Sequence, residues 1–116
     1  ECTIHPNYRE MVLKANDLST AVTGKKINHA ARSLRTAYVR EFQRAEYGGA
    51  DEAELEGMTV GRFRLAVQNG DRENGCFLCG QAAAMVSRVQ PAAEIVREVC
   101  TEAEQRLGTA GSLTAI

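Results

Sequence analysis

The sequence contains no tryptophan and only three tyrosines and three phenylalanines, so its core must rest mainly on Ala, Val, Leu, Ile and Met. Proline is almost absent as well. Pro6 and Pro91 are the only two, and each stands where a helix can open, because a missing N–H is harmless at the first helical position. No run approaches the ~18 apolar residues that span a bilayer. The opening ECTIHPNYRE has neither the basic nor the apolar stretch of a signal peptide. The expectation is a soluble, cytoplasmic piece of a longer protein, with no membrane partner. A net charge of −1 gives no overall pull toward nucleic acid. No Walker loop, dinucleotide fingerprint or Ser/His/Asp set is present.

What is present fits one domain at most: 116 residues bury roughly two thirds of their unfolded surface. The charges are unevenly placed. Lys25 to Arg44 holds six basic residues against Glu41, and Glu46 to Glu56 holds five acids and no base. Two solvated helix faces of opposite sign are the plainer reading, and a basic stretch that meets an anionic partner or cofactor is the sharper one. The cysteines are Cys2, Cys76, Cys79 and Cys100. Their spacing is unlike a small disulfide scaffold, so free thiols in a reducing compartment are expected.

The pattern is mostly α with one or two short strands. A helix from Pro6 to about Lys14 offers Tyr8, Met11 and Val12 for burial. The β-branched 20-TAVT-23 reads as an edge strand ended by Gly24. Asn28 reads as the N-cap of a helix to about Glu46, with Ala31, Leu34, Tyr38, Phe42 and Ala45 on one stripe and Gly48 and Gly49 as its stop. An acidic turn or helix covers Asp51 to Glu56. Thr59 is expected to cap a helix to Gln68, with Val60, Phe63 and Val67 inward and Gly70 as its end. The loop 70-GDRENG-75 is dense in turn formers, and 81-QAAAMVSRV-89 has high helix propensity. Pro91 opens a last helix with Ala92, Ile95, Val96, Val99, Ala103 and Leu107 in a stripe; 108–116 lacks any period and reads as a flexible tail.

The stretch 75-GCFLCGQAAAMV-86 concentrates the chemistry. A structural zinc site needs a second ligand pair, and His5 and His29 do not form one. A redox dithiol at a helix start would have its thiolate favoured by the helix dipole, but usually follows a strand. Gly75 and Gly80 allow close backbone approach, and Gly80 and Gln81 at a helix start would present N–H groups to a polar ligand. His29 with Arg32 and Arg35 is a candidate anion site, with an exposed helix turn as the plainer alternative.

Four segments add a resemblance. The run 1-ECTIHPNYREMVLKANDLSTAVTG-24 resembles a family pattern E-x-x-x-HPNYK-x-x-LKA-x-D-x-x-T. The segment 28-NHAARSLRTAYVREF-42 is similar to GH-x-x-R-x-x-x-N, 64-RLAVQNGDRENG-75 to KAV-x-x-GD-x-x-xG, and 75-GCFLCGQAAAMV-86 to GSVMAGQ-x-AG-x-V. Residues 1–107 thus resemble the C-terminal region of the FMN-dependent enoyl-acyl-carrier-protein reductase II branch of the nitronate monooxygenase (2-nitropropane dioxygenase-like) family. The resemblance implies the helical, substrate-covering part of an α/β TIM-barrel flavoenzyme. FMN would be reduced by NADH or NADPH, and the substrate would be an enoyl thioester on acyl carrier protein or coenzyme A. The other partner would be the rest of its own barrel, with self-association as a further expectation. The catalytic histidine segment and the flavin phosphate loops of the family have no match in this chain, so no catalytic residue is assigned and neither His5 nor His29 takes that role. The isolated chain is expected to bind no FMN and to be inactive. By the same resemblance Phe77, Leu78, Cys79, Gly80 and Gln81 would wall the flavin or substrate pocket. Cys76, Leu78 and Cys79 stand where the family carries Ser, Met and Ala, and Asn28 stands for its Gly. Nitronate oxidation is the alternative within the family, and a helical interaction module without flavin the alternative outside it.

Overall fold

The computed structural model describes residues 3–113, which fall into two units, Thr3–Ser87 and a second that begins at Arg88. In the first unit α1 (Pro6–Leu13) opens at Pro6 as the sequence predicts. His5 is its cap, with Nδ1 accepting from the Asn7 N–H at 3.1 Å. Tyr8 is buried, and Met11 and Val12 pack at the edge of the same cluster.

The strand β1 (Thr20–Thr23) forms where expected, but its partner corrects the reading of the next segment. Residues Ala31–Leu34 are not helical. They form β2, antiparallel to β1, with Thr20 opposite Leu34 and Thr23 opposite Ala31. Asn28 is not a helix cap. It sits in the hairpin loop at φ 53°, the left-handed region that Asn tolerates. Pairing with β1 across the hairpin outweighs helix periodicity here, as β structure depends on neighbours more than on local preference. Helix α2 (Ala37–Gly48) begins nine residues later than Asn28, at the better cap: Thr36 Oγ1 accepts from the Val39 N–H at 3.3 Å. Its stripe of Tyr38, Val39 and Phe42 is buried, and left-handed Gly49 ends it.

The acidic segment is a full helix, α3 (Glu52–Thr59), capped by Asp51. Thr59 closes α3 instead of opening the next helix; its hydroxyl donates to the Glu56 carbonyl at 2.7 Å. The chain restarts at left-handed Gly61 as α4 (Arg62–Arg64), continues as a π-helical turn Leu65–Asn69, and stops at left-handed Gly70. That shift in phase rotates the apolar face. Ala66 is fully buried, whereas Val60 and Phe63, expected inside, are 78% and 52% exposed.

The alanine-rich stretch makes only a 3₁₀ turn, Gln81–Met85, and then runs extended. Short helices gain most of their stability from packing, and here Ala83 alone is buried. Pro91 also biases the residue before it toward extended backbone.

In the second unit α5 (Ala92–Leu113) starts after Pro91, whose carbonyl accepts from the Glu94 N–H at 3.0 Å. Arg88 and Gln90 reach along it to Glu98, at 3.0 and 2.8 Å. The helix runs to Leu113, into the stretch read as a tail; 114–116, and Cys2 at the other end, lie outside the described residues. The predicted stripe forms on one side of α5, yet Ile95, Val96, Val99 and Leu107 are all exposed.

Among the described residues burial is confined to Thr3–Ser87. One cluster joins Ala21, Ile27, Tyr38, Val39, Phe42 and Leu55; another joins Tyr8, Leu34, Ala66 and Phe77. Each large apolar side chain in them contributes roughly 1.5–3 kcal/mol. No described helix is long and apolar enough to cross a membrane.

Candidate functional site

The stretch Gly75–Gly80 runs alongside β2 as a short extended segment. The Leu34 N–H donates to the Phe77 carbonyl at 2.9 Å, and the Cys79 N–H to the Arg32 carbonyl at 3.1 Å, with Leu78 bridged antiparallel to Ser33. Further anchors come from other elements. The Cys76 N–H donates to the Arg62 carbonyl at 2.9 Å, Thr36 Oγ1 donates to the Gly75 carbonyl at 3.2 Å, and the Tyr8 hydroxyl donates to the Leu78 carbonyl. The loop therefore has its backbone pinned by α1, β2, the start of α2 and α4.

Extended backbone alternates its side chains, and that splits the predicted wall. Phe77 points inward. It is fully buried, packs edge-to-face on Tyr8 at 4.9 Å and belongs to the core. Leu78 is 40% exposed, Gly80 and Gln81 are exposed, and Cys79 is half-buried against the Tyr8 cluster. The five residues share one loop, but the outward surface is Leu78, Gly80 and Gln81. A Cβ on Gly80 would meet only the Ala82 nitrogen, at 3.9 Å, so space is open above it.

Gly75 works inward instead. A Cβ there would lie 2.6 Å from the Asp71 carbonyl oxygen and 2.9 Å from Ala66 Cα. It is required by packing and leaves no room for a ligand.

The thiols are not activated. Burial pushes the Cys76 thiol up, opposed by the Ser33 hydroxyl, whose Oγ makes no hydrogen bond of ordinary geometry. Burial also raises Cys79, against a weaker lowering by Arg32. A redox thiol needs the opposite shift, and the five-residue 3₁₀ turn after Gly80 supplies little helix dipole. Cys76, Cys79 and Cys100 are free, and no three His, Cys, Asp or Glu side chains cluster as metal ligands among the described residues. The expected anion set does not assemble either. Arg32 and Arg35 both bond to Thr20, at 2.9 and 3.1 Å, at the far end of the hairpin from His29.

Sequence reasoning missed that the quoted motifs hold one another. Asn7 Nδ2 donates to the Gly70 carbonyl at 2.9 Å across 63 residues of sequence. The His5 imidazole lies where a Gly70 Cβ would be, 2.0 Å from its Nδ1, and the His5 N–H donates to the Val67 carbonyl. Arg72 reaches Asn7 Oδ1 at 3.0 Å and pairs with Glu10. Asp71 accepts from the Glu73 and Asn74 N–H groups and from Asn74 Nδ2, all at 3.0 Å, which shapes the turn leading into Gly75. The HPNY and GD-x-x-x-G stretches are thus two halves of one clamp beneath the loop. The signal was their shared presence in the family pattern, without any hint that they touch.

A TM-score of 0.86 at 34% identity relates this chain to the structure of FabK from Thermotoga maritima, and a TM-score of 0.76 at 33% identity relates it to a point mutant of the same protein. Both matches cover 95% of this chain and 35% and 32% of those chains, so it spans about a third of their length. The family model described as nitronate monooxygenase matches residues 1–102, and the chain belongs to that family.

Proposed function

We propose that this chain is the substrate-side wall of an FMN-dependent, NAD(P)H-using reductase of enoyl thioesters. The observation that carries this reading is the pinned loop. Its backbone is fixed from four directions while Leu78, Gly80 and Gln81 remain outward. An exposed apolar side chain, open space over a glycine and a free amide suit one wall of a flat ring system, with a few polar groups for orientation. The group's phosphate finds no cluster of cations on this loop, so its cradle would come from elsewhere in a TIM-barrel parent. When bound, FMN would supply a hydride to the β-carbon of the substrate. The chain's own residues would shape and orient, without moving a proton. The proposed substrate is carried on acyl carrier protein or coenzyme A, in the cytoplasm. The likeness to FabK supports the reductase branch; the description of the matching family supports the rival, oxidation of a nitronate by oxygen.

The test uses the full-length protein that contains this chain. NADH- or NADPH-dependent reduction of a crotonyl thioester is the expected outcome. Oxygen uptake with an alkyl nitronate, and no enoyl reduction, would establish the oxidase instead. A full-length protein without flavin would leave only an interaction module.

A further inference from the structure

We propose that the outer face of α2 is a binding site for a phosphorylated nucleotide, separate from the loop at Gly75–Gln81. Arg40, Gln43, Arg44 and Tyr47 recur at helical spacing, share one face, and line a shallow patch that is open to solvent.

The basic stretch seen in the sequence divides here into engaged and unengaged residues. Arg32 and Arg35 are spent on Thr20. The Arg40 and Arg44 side chains are exposed and make no ion pair or hydrogen bond among the described residues. Like charges four apart on a helix repel. Glu41, three residues before Arg44, is exposed and not paired with it. The helix therefore carries an uncompensated pair of forked donors, the side chains best matched to phosphate oxygens. Tyr47 adds an aromatic ring that is 67% exposed one turn further on, a stacking platform for a base. The Gln43 amide, between them, is already engaged, donating to the Val22 carbonyl at 3.2 Å on the unpaired side of β1. An acidic protein surface would need only the charges. The exposed ring on the same face as the two guanidinium groups favours a small ligand with a phosphate and a base.

Titrating the full 116-residue chain with adenosine diphosphate, by calorimetry and by amide chemical shifts, tests this directly. Saturable binding with shifts centred on Arg40–Tyr47 is expected. Charge reversal in Arg40→Glu with Arg44→Glu should weaken binding at least about tenfold. Tyr47→Ala should weaken it at least about fivefold while Tyr47→Phe retains it. These side chains are exposed, so melting points should not move; if the reversed-charge variant melts early, Arg40→Gln with Arg44→Gln takes its place. Pyrophosphate binding as tightly as the nucleotide, poly-glutamate competing with the nucleotide at equal affinity, shifts elsewhere, or no binding would each overturn the proposal. None of these outcomes depends on whether the flavin reading holds.

Discussion

Replacing Gly75 by alanine strikes the candidate loop at its root. The new Cβ would lie 2.6 Å from the Asp71 carbonyl oxygen, 2.8 Å from Phe77 Cε2 and 2.9 Å from Ala66 Cα. Two of the three neighbours are backbone atoms. Relief requires moving the 71–75 turn or the π-helical turn at Ala66, and a side-chain rotation does not suffice. Overpacking typically costs about 1–3 kcal/mol, and backbone neighbours place this change near the upper end. The same movement would lengthen the Gly75 N–H to Asp71 bond of 2.9 Å and the Thr36 to Gly75 bond of 3.2 Å. For a unit of this size, a loss of about 3 kcal/mol lowers the melting point by about 12–24 °C. Gly57 is the control. It sits within α3 with nothing inside 4 Å of a built Cβ, so Gly57→Ala should gain up to about 1 kcal/mol of helix propensity and raise the melting point. Thermal unfolding followed by circular dichroism reads both. A Gly75→Ala protein melting within about 2 °C of wild type would refute the view that this glycine is held by packing.

Two further substitutions probe the clamp. Tyr8→Phe removes the hydroxyl that holds the Leu78 carbonyl and keeps the ring against Phe77. It should cost about 1 kcal/mol and speed hydrogen exchange at Cys79 and Gly80; unchanged exchange would show that the loop does not depend on α1. Asp71 is held below its ordinary value of 3.8 first by the Asn74 N–H, then by the Asn74 amide and the Glu73 N–H. A carboxylate depressed in the folded state lends its stability in full above its unfolded pKa and loses it as pH falls through the folded one. Asp71→Asn should therefore flatten part of the fall in melting point below about pH 4. An acid profile superimposable on wild type would place the turn's stability elsewhere.

How much of this was legible depended on whether the deciding interaction was local. Pro6, Gly24, Gly49 and Pro91 punctuate α1, β1, α2 and α5 through their own backbone chemistry, and those boundaries fell close to expectation. Residues Ala31–Leu34 satisfy a helical stripe and a strand equally well, and only β1 decides between them. Thr59 looked like a cap because nothing nearby announces that Gly61 is the true break. Val60 and Phe63 read as inward because periodicity marks an apolar face without saying what covers it. The loop at Gly75–Gln81 stands out by its cysteines and glycines and takes its role as a pocket wall from the resemblance, yet the inward turn of Phe77 follows from pairing with β2 that the pattern does not encode. The clamp between Asn7 and Gly70 was invisible for the same reason.

The central claim is that the outward side of this loop meets substrate in a flavin-dependent reductase. Leu78 tests it most directly, because its side chain is exposed while the loop is fixed by backbone bonds, at its own carbonyl and at Phe77 and Cys79 on either side. In the full-length flavoprotein, Leu78→Glu should leave the melting point and flavin content unchanged and reduce kcat/KM for a crotonyl thioester with NADH or NADPH by at least about tenfold, the equivalent of about 1.4 kcal/mol of transition-state binding. Unchanged kcat/KM in that variant, with the wild type active, would contradict the placement of the loop against the substrate.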